Sequence, residues 1–310
     1  MIWSFSTYRQ FKRCQRQWFY KNVYGNSRCN DPSRNEAFIL GQLKSLSAWR
    51  GDVVDKTLSN FIIPSINSKK ALNLADSISY AKKLCRRQLD FAKLKSYRDG
   101  KAKSNSGLDY CALFPLEYDI PISTDDLKEL WREIESSLAN FHKNELILRY
   151  LITSSKLLAQ RPLIFQVGEI SLRGVPDLIA FYEKEPPRII DWKVHSFGTK
   201  AYDEQLIIYA LALSRCKPHV DFPTSLTSFK VESFNISEYQ MLLDVVRDYE
   251  ITSDRLEDVE SMIDASLLDM NLSGAMKKIN ETEVNAFETT KFPENCQTCA
   301  FKKICWERTE

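Results

Sequence analysis

Hydrophobic residues recur with two different periods along the chain. Up to about residue 160 the spacing is typical of helices, and it is clearest over residues 124–143, where Leu130, Ile134 and Leu138 fall on one face. The same period, with Ser6 as N-cap and Gly25 as the stop of the first segment, predicts three earlier helices. They cover residues 6–24, 35–61 and 68–97, and a loop is predicted over residues 99–108.

From Pro162 onward the pattern changes to the period of two that strands have. We predict strands over residues 163–171, 175–181, 188–194 and 226–234, a helix over 201–214, and two helices within 237–272. The prediction is an α/β fold in one domain, residues 1–310. Its parts are a basic first helix (1–34), a helical region (35–160), an α/β core (161–235) and a C-terminal segment with helices and a cysteine cluster (236–310).

Polar residues interrupt two of these strands in the stretch GVPDLIAFYEKEPPRIIDWKVH. The polar residues and prolines at 183–187 predict a turn, so a hairpin would bring Asp177 close to Asp191. Lys193, two positions later, would share the face of Asp191. Two carboxylates suit Mg²⁺ or Mn²⁺, and a lysine beside them can orient water or offset phosphate charge. These groups are what metal-assisted phosphodiester hydrolysis requires.

The helix after the hairpin adds two polar residues. Gln205 and Tyr209 are four positions apart, so they lie on one helical face and can hold a phosphate or a base. Taken alone, a strand aspartate is usually a solvated edge residue. The ordered set of Gly-x-x-Asp, Asp-x-Lys and Gln-x-x-x-Tyr is much harder to obtain by chance.

These motifs, Gly174-Val-Pro-Asp177, Ile189-Ile-Asp-Trp-Lys193 and Gln205-Leu-Ile-Ile-Tyr209, resemble those of the PD-(D/E)XK nucleases, and specifically their RecB-like branch. The resemblance implies a restriction-endonuclease-like core with a mixed β-sheet flanked by helices. It further implies that Asp177 and Asp191 bind the metal and that Lys193 is the catalytic lysine. Gln205 and Tyr209 would form the helical motif of the branch.

Many members of the branch carry a histidine on an upstream helix, and Asp55 stands at the matching position here. Three alternatives stay open. Asp55 replaces the imidazole ligand with a carboxylate, or the site binds one metal weakly, or activity is reduced.

Three cysteines near the C-terminus, Cys296, Cys299 and Cys305, form a Cys-x2-Cys-x5-Cys run, which is one ligand short of a four-thiolate site. Cys14 is the best fourth candidate and Cys29 its rival. The arrangement resembles the AddB nuclease domain and the CRISPR-associated RecB-like exonucleases, which implies a [4Fe-4S] cluster. Zinc suits four thiolates equally well and remains the alternative.

Charge is distributed unevenly although the net charge is only +2. The first thirty residues contain six basic residues and no acid, and Arg9, Lys12, Arg13 and Arg16 form a basic face that would contact nucleic-acid phosphates. Neighbouring aromatic residues offer surfaces for base stacking, although most of them are expected in the core. They are Tyr8, Trp18, Phe19, Tyr20 and Tyr24. His195 and Glu169 are further candidates near the site.

The chain has no long apolar segment and no signal-peptide pattern, which favours a cytoplasmic protein without a membrane partner. The leading hypothesis is a metal-dependent deoxyribonuclease acting on single strands or DNA ends. A helicase, a recombination protein or a CRISPR complex is the candidate partner. The alternatives are a catalytically impaired DNA- or partner-binding module with the same fold, and a zinc-stabilised nuclease acting on RNA.

Overall fold

The first half of the chain is helical, as predicted, but it is divided into more segments than the pattern indicates. The computed structural model describes residues 2–99, 102–195, 202–275 and 283–306. After a short strand β1 (Ile2–Trp3), the helices down to residue 152 follow in this order: α1 (Phe5–Arg13), α2 (Gln15–Phe19), a π-helical turn (Tyr20–Tyr24), α3 (Pro32–Leu40), α4 (Leu46–Thr57), a second π-helical turn (Leu58–Ile62), α5 (Ile63–Asn67), α6 (Leu74–Lys93), α7 (Ala102–Asn105), α8 (Phe114–Glu117), α9 (Thr124–Lys143) and α10 (Glu145–Ile152). The predicted helix over 124–143 is confirmed.

The predicted first helix, residues 6–24, is broken at Cys14. Helix α1 begins after Ser4 rather than Ser6, because the Ser4 hydroxyl accepts a hydrogen bond from the Thr7 N–H at 3.3 Å. Cys14 has an extended backbone, with φ −165° and ψ 108°, and it ends α1 and caps α2 at once. Its thiol therefore lies at a joint between two helices.

The second half contains two sheets. The strands are β2 (Lys156–Ala159), β3 (Leu163–Val167), β4 (Ile170–Gly174), β5 (Leu178–Phe181), β6 (Arg188–Lys193), β7 (Asn235–Gln240) and β8 (Val245–Tyr249). The remaining helices are α11 (Tyr202–Arg215), α12 (Ser253–Leu272), α13 (Glu294–Gln297) and α14 (Lys302–Trp306). The main sheet has the order β2-β5-β6-β7-β8 and is mixed, since only β6 and β7 run parallel. A small sheet has the order β1-β4-β3.

Two sequence predictions in this half are wrong. Residues 226–234 form 3₁₀ turns (Thr224–Ser228 and Val231–Ser233) instead of a strand, and the helix expected from residue 237 is instead the hairpin β7–β8. Strand β7 is buried at five consecutive positions, three of which are polar, so its sequence shows neither period clearly. The predicted strand 163–171 is the pair β3 and β4, joined at Gly168, which has a φ of +57°. Ala201, the predicted start of α11, lies outside the described residues.

The main sheet lies between two apolar layers. Ile179, Ile189 and Ile236 face α11, and the same core holds the aromatic residues of both chain ends. On the opposite face, Leu178, Ile190 and Tyr239 pack with residues of α4 and α9. This arrangement, with the family match given below, confirms the predicted α/β fold with a mixed sheet and flanking helices. In the part of the chain that is described, no helix is long and apolar enough to cross a membrane.

The N-terminal helices and the C-terminal segment pack directly against each other. Phe287 is fully buried, and its ring lies 4.7 Å from that of Phe19 and 5.9 Å from that of Trp18. The Arg16 N–H donates to the carbonyl of Glu288 at 3.0 Å. Apolar packing and this hydrogen bond therefore join the two ends of the described chain.

This packing makes a stability prediction. We expect Phe287→Ala to lower the free energy of unfolding by about 3–5 kcal/mol, because it leaves a cavity between the aromatic rings of the two ends. Phe292→Ala is the matched control, since Phe292 is 63% exposed and its loss should change stability by less than about 0.5 kcal/mol. Urea unfolding measures both, and equal effects of the two variants would show that the contact between the ends contributes little.

Candidate active site and cysteine cluster

The β5–β6 hairpin brings the two predicted acids together. Leu178 pairs with Ile190 in the antiparallel register, so Asp177 and Asp191, one residue further on each strand, stand opposite each other. Asp191 is only 4% exposed, and its Oδ2 forms an ion pair with the Lys193 Nζ. The strand alternation predicted for Asp191 and Lys193 is thus present, and both side chains lie on the face that α11 covers.

Asp177 is held by two donors that the sequence did not indicate. Its Oδ2 accepts from the backbone N–H of Trp192 at 3.0 Å, and its Oδ1 accepts from the amide of Gln160 at 2.9 Å. Gln160 follows strand β2, which was not predicted, and has a φ of +51°, a left-handed conformation that is uncommon for a residue with a side chain. This backbone conformation marks Gln160 as an unusual residue, but it can be seen in the structure and not in the sequence.

Asp55 reaches the same place from helix α4. Its Oδ1 accepts from the Gln160 amide at 2.7 Å and from the Trp192 indole at 3.2 Å. Gln160 therefore bridges Asp55 and Asp177 with one amide group. Asp55, the residue at the histidine position of the branch, thus lies beside Asp177 and lines the same cavity as Asp191.

The helical motif closes the site from α11. The Gln205 amide donates to the Tyr209 hydroxyl at 2.6 Å. Gly174 explains how the helix comes so close, because a Cβ there would lie 3.0 Å from Tyr209 Cδ1 and 3.3 Å from Ala212 Cβ. A side chain at this position would require Tyr209 or Ala212 to shift by a few tenths of an ångström, so the glycine of the Gly-x-x-Asp motif favours the close approach of α11 to β4.

These side chains line one cavity of about 430 Å³. Its walls are formed by Ser47, Ala48, Arg50, Gly51, Asp55, Asp177, Asp191, Trp192, Lys193, Val194, His195, Gln205 and Tyr209. Arg50 was not predicted. Its guanidinium pairs with Glu133 on α9 and donates to the carbonyl of Val194, so it joins α4 and α9 to the end of β6.

The cavity brings three carboxylates together, those of Asp55, Asp177 and Asp191, at a partly buried place. Burial raises the pKa of Asp177 well above its usual value, and the Asp191 and Asp55 carboxylates raise it further. Burial likewise raises the pKa of Asp55. The pKa of Tyr209 is also raised, first by burial and then by Asp191 and Asp177, so its hydroxyl stays protonated. Lys193 offsets part of the charge of Asp177, and a divalent cation would relieve the remaining repulsion.

Strand β7 carries two more polar residues that the sequence analysis assigned to a helix. Glu238 pairs with Asp191 and Gln240 with Lys193 in the parallel register, and both are fully buried. Burial raises the pKa of Glu238, while the neighbouring Gln240 side chain, Arg247 and Lys193 act against the rise. The Glu238 Oε2 and both polar atoms of the Gln240 amide have no hydrogen-bond partner among the described residues. The polar residues of the site therefore extend from β6 onto the neighbouring strand β7.

The family model described as "PD-(D/E)XK nuclease superfamily" matches residues 2–306. The chain belongs to the PD-(D/E)XK nuclease superfamily. No curated protein matches it.

Two solved structures are similar to the chain at low sequence identity. One is described as a "Putative exonuclease" from Eubacterium rectale, with 14% identity, a TM-score of 0.35, and coverage of 88% of this chain and 93% of the other. The other is the protein SSO0001, with 11% identity, a TM-score of 0.28, and coverage of 82% and 93%.

The four cysteines singled out by the sequence lie at the contact between the chain ends. The Cys14 thiol accepts from the Gln17 N–H at 3.4 Å, and the Gln17 side chain donates to Cys299 at 3.6 Å. Cys299 also accepts from the Phe301 N–H at 3.4 Å. Burial, followed by Cys14, Cys305 and Cys296, raises the pKa of Cys299 to about 11, so the thiols are near enough to influence one another. Cys29 instead donates to the carbonyl of Asn26 at 3.3 Å.

The donor sets at the two sites fit the groups implied by the resemblance. The acids around Asp177 offer the oxygens that Mg²⁺ or Mn²⁺ prefers. Thiols are the ligands that a [4Fe-4S] cluster or zinc uses, and backbone N–H groups donate to two of the four, Cys14 and Cys299. Within the described ranges, no three histidine, cysteine, aspartate or glutamate side chains already stand in the geometry of a formed metal site.

The residues predicted to contact DNA or to join the site lie in different surroundings. Arg9 and Arg13 line a surface cavity, but Lys12 pairs with Asp269 and the Arg16 side chain donates to the carbonyl of Phe287. Trp18, Phe19 and Tyr20 are buried and cannot stack on bases, whereas Tyr8 and Tyr24 are half-buried. His195 lines the active-site cavity. Glu169 is exposed at the β3–β4 turn and does not line it.

Asp55 provides a test of the crowded charge. We expect Asp55→Asn to raise the free energy of unfolding by about 1 kcal/mol in EDTA, because the amide oxygen keeps both hydrogen bonds while one buried charge is removed. Asp52→Asn on the same helix is the control. Asp52 pairs with Lys44 at 2.6 Å and Lys56 at 3.0 Å, so its neutralisation should lower stability. A loss of stability in both variants would contradict the argument.

Proposed function

We propose that the protein is a divalent-metal-dependent deoxyribonuclease that acts on single strands or DNA ends. In this proposal Asp177 and Asp191 hold Mg²⁺ or Mn²⁺, Asp55 adds a third carboxylate, and Lys193 is the catalytic lysine. The observation that carries the proposal is the meeting of the buried Asp191, the half-buried Asp177 and a lysine in one cavity, in a chain of the PD-(D/E)XK superfamily.

The hydrogen bonds of Asp177 and Asp55 indicate how each carboxylate would bind a cation. The Trp192 N–H and the Gln160 amide fix both oxygens of Asp177, so this carboxylate is oriented before any cation binds. Asp55 uses Oδ1 for its two hydrogen bonds, and its Oδ2 makes none with the described residues. Oδ2 is thus available to a cation.

Lys193 and the helical motif face the substrate side of the cavity. The Lys193 ammonium, held by Asp191, can orient the attacking water and offset the charge that develops on the phosphate. The Tyr209 hydroxyl remains a donor because its pKa is raised, and it can bind a phosphate oxygen next to Gln205. A bound divalent ion supplies Lewis-acid polarisation of the phosphate and a lower pKa for the water.

We further propose that the protein belongs to the RecB-like branch and that Cys14, Cys296, Cys299 and Cys305 hold a [4Fe-4S] cluster. The N–H groups that point at Cys14 and Cys299 support this assignment, since hydrogen bonds to sulfur stabilise and tune such clusters. Zinc is the alternative occupant. A partner from a helicase, recombination or CRISPR system, and the cytoplasmic location, remain predictions from the sequence.

The competing function is a nucleic-acid- or partner-binding module that has lost catalysis. The replacement of histidine by Asp55 is the observation that favours it. The two functions differ in cleavage and not in binding, so a cleavage assay separates them.

The catalytic proposal predicts that the protein degrades end-labelled single-stranded DNA in Mg²⁺ or Mn²⁺. We expect Asp191→Ala and Lys193→Ala each to reduce the rate roughly 100-fold or more, because the first removes a ligand of the divalent ion and the second removes the positive charge that faces the reacting phosphate. Asp125→Ala, on the exposed first turn of α9, is the control and should retain full activity. If the wild-type protein cleaves neither single strands nor duplex ends in any divalent metal, the binding module is the correct reading.

The cluster proposal predicts a brown protein with iron and sulfide when purification excludes oxygen. Cys299→Ser should lose the visible absorption and the iron, since one of four ligands is removed. Cys29→Ser should retain both, because Cys29 lies in a separate turn. A colourless protein with one zinc per chain would instead establish the zinc site.

A further inference from the structure

Three cavities adjoin one another along one side of the molecule. The active-site cavity of about 430 Å³ shares Gln205 and Tyr209 with a second cavity of about 310 Å³. That second cavity shares Ser6 with a third of about 450 Å³. The side chains that line two cavities stand between them, so the three cavities follow one another along the surface.

The middle cavity is built where the chain leaves β1 for α1. Strands β1 and β4 are parallel, and Trp3 pairs with Leu172, so Ser4 and Arg173 are the next two residues to stand side by side. Arg173 is exposed and lines the middle cavity together with Ser4 and Ser6. Among the described residues, Arg173 forms no ion pair with an acid, which leaves its guanidinium free to bind an anion.

The third cavity is basic. Arg9 and Arg13 are four positions apart on α1, and Lys21 lines the same cavity. None of these three forms an ion pair with an acid in the part of the chain that is described. The Arg13 guanidinium donates to the Gln17 side-chain oxygen, and the Arg9 guanidinium lies over the Phe5 ring. Desolvation, Lys103 and Arg13 lower the pKa of Lys21. Positive charges that repel one another would be stabilised by a polyanion.

We infer that a single strand of nucleic acid leaves the active-site cavity across Gln205 and Tyr209, places its next phosphate on Arg173, and continues along α1 to Arg9, Arg13 and Lys21. The inference rests on the proposed function in one respect, because it takes the scissile phosphate to lie beside Asp191 and Lys193. It adds the course that the bound strand follows and a binding site at Arg173.

The geometry favours a single strand over a duplex. Asp191 is 4% exposed, so the phosphate that reaches it has to enter a cavity. A backbone that is paired in a duplex carries its partner strand with it, whereas an unpaired strand can follow the path. From Ser6 to Arg13 the helix rises about 10 Å, which is the length of about three stacked nucleotides.

The test measures binding separately from cleavage. Fluorescence anisotropy with a labelled single-stranded DNA of about 12 nucleotides is carried out in an Asp191→Asn background, so that the strand is not degraded. We expect Arg173→Ala to weaken binding about fivefold and to reduce the slope of log K against log salt by about 0.7, the value for one phosphate contact on a single strand. Arg173→Lys should keep most of the slope because it keeps the charge.

Arg149→Ala is the matched control for loss of one positive charge. Arg149 is exposed on α10, next to Tyr150, whose ring lies 3.8 Å from the guanidinium of Arg188 at the opposite end of β6 from Lys193. We expect it to change neither affinity nor slope. Equal effects of Arg173→Ala and Arg149→Ala, in variants with the same unfolding midpoint, would overturn the Arg173 site.

Strand length tests the direction of the path. The double variant Arg9→Ala/Arg13→Ala should weaken binding of the longer strand but not of a strand of about two nucleotides, which ends before the third cavity. Equal weakening of both, or tighter binding of a blunt duplex than of the single strand, would refute the path. Cleavage by the wild type with no effect of Arg173→Ala would refute the path alone, whereas reduced binding without any cleavage would refute the catalytic proposal alone.

Discussion

The antiparallel register of β5 and β6 is the constraint on which the site depends. It sets Asp177 opposite Asp191, and the alternation of β6 then directs Lys193 toward the same cavity. The indole of Trp192, between them, donates to Asp55. A shift of one residue would exchange the faces and bury the catalytic groups among the apolar residues of α4 and α9. Ile179, Ile189 and Ile190, all fully buried, hold the register, so the apolar core and the chemistry are specified by the same short hairpin.

The part of the site that the sequence predicted is the part that local patterns encode. Asp191 and Lys193 share a face because a strand alternates, and Gln205 and Tyr209 share one because a helix turns every 3.6 residues. Gln160, Arg50 and Glu238 could not be found in this way. Each reaches the site through a long-range contact, and Glu238 in addition lies in a strand whose polar residues are buried on both faces.

The same distinction applies to the fold. Helix α9 and strand β6 have a clear period and were predicted within a residue, whereas β2 and β1 are short and take their partners from distant segments. The break at Cys14 was also missed, since the sequence there continues a helical pattern. Tertiary contacts with Phe287 and Glu288 override that local preference and turn the chain at the cysteine.

The pairing of β1 with β4 has a consequence for how the protein folds. Ile2 pairs with Ser171, so the first strand has no partner on the ribosome until more than half of the chain has been made. Trp18 and Phe19 of α2 are covered later still, because their packing partner Phe287 is synthesised near the end of the chain. The β5–β6 hairpin, by contrast, can form as soon as it emerges. Contacts of such large sequence separation slow folding, and the N-terminal segment is therefore expected to dock last, onto a sheet that already holds the catalytic acids in place.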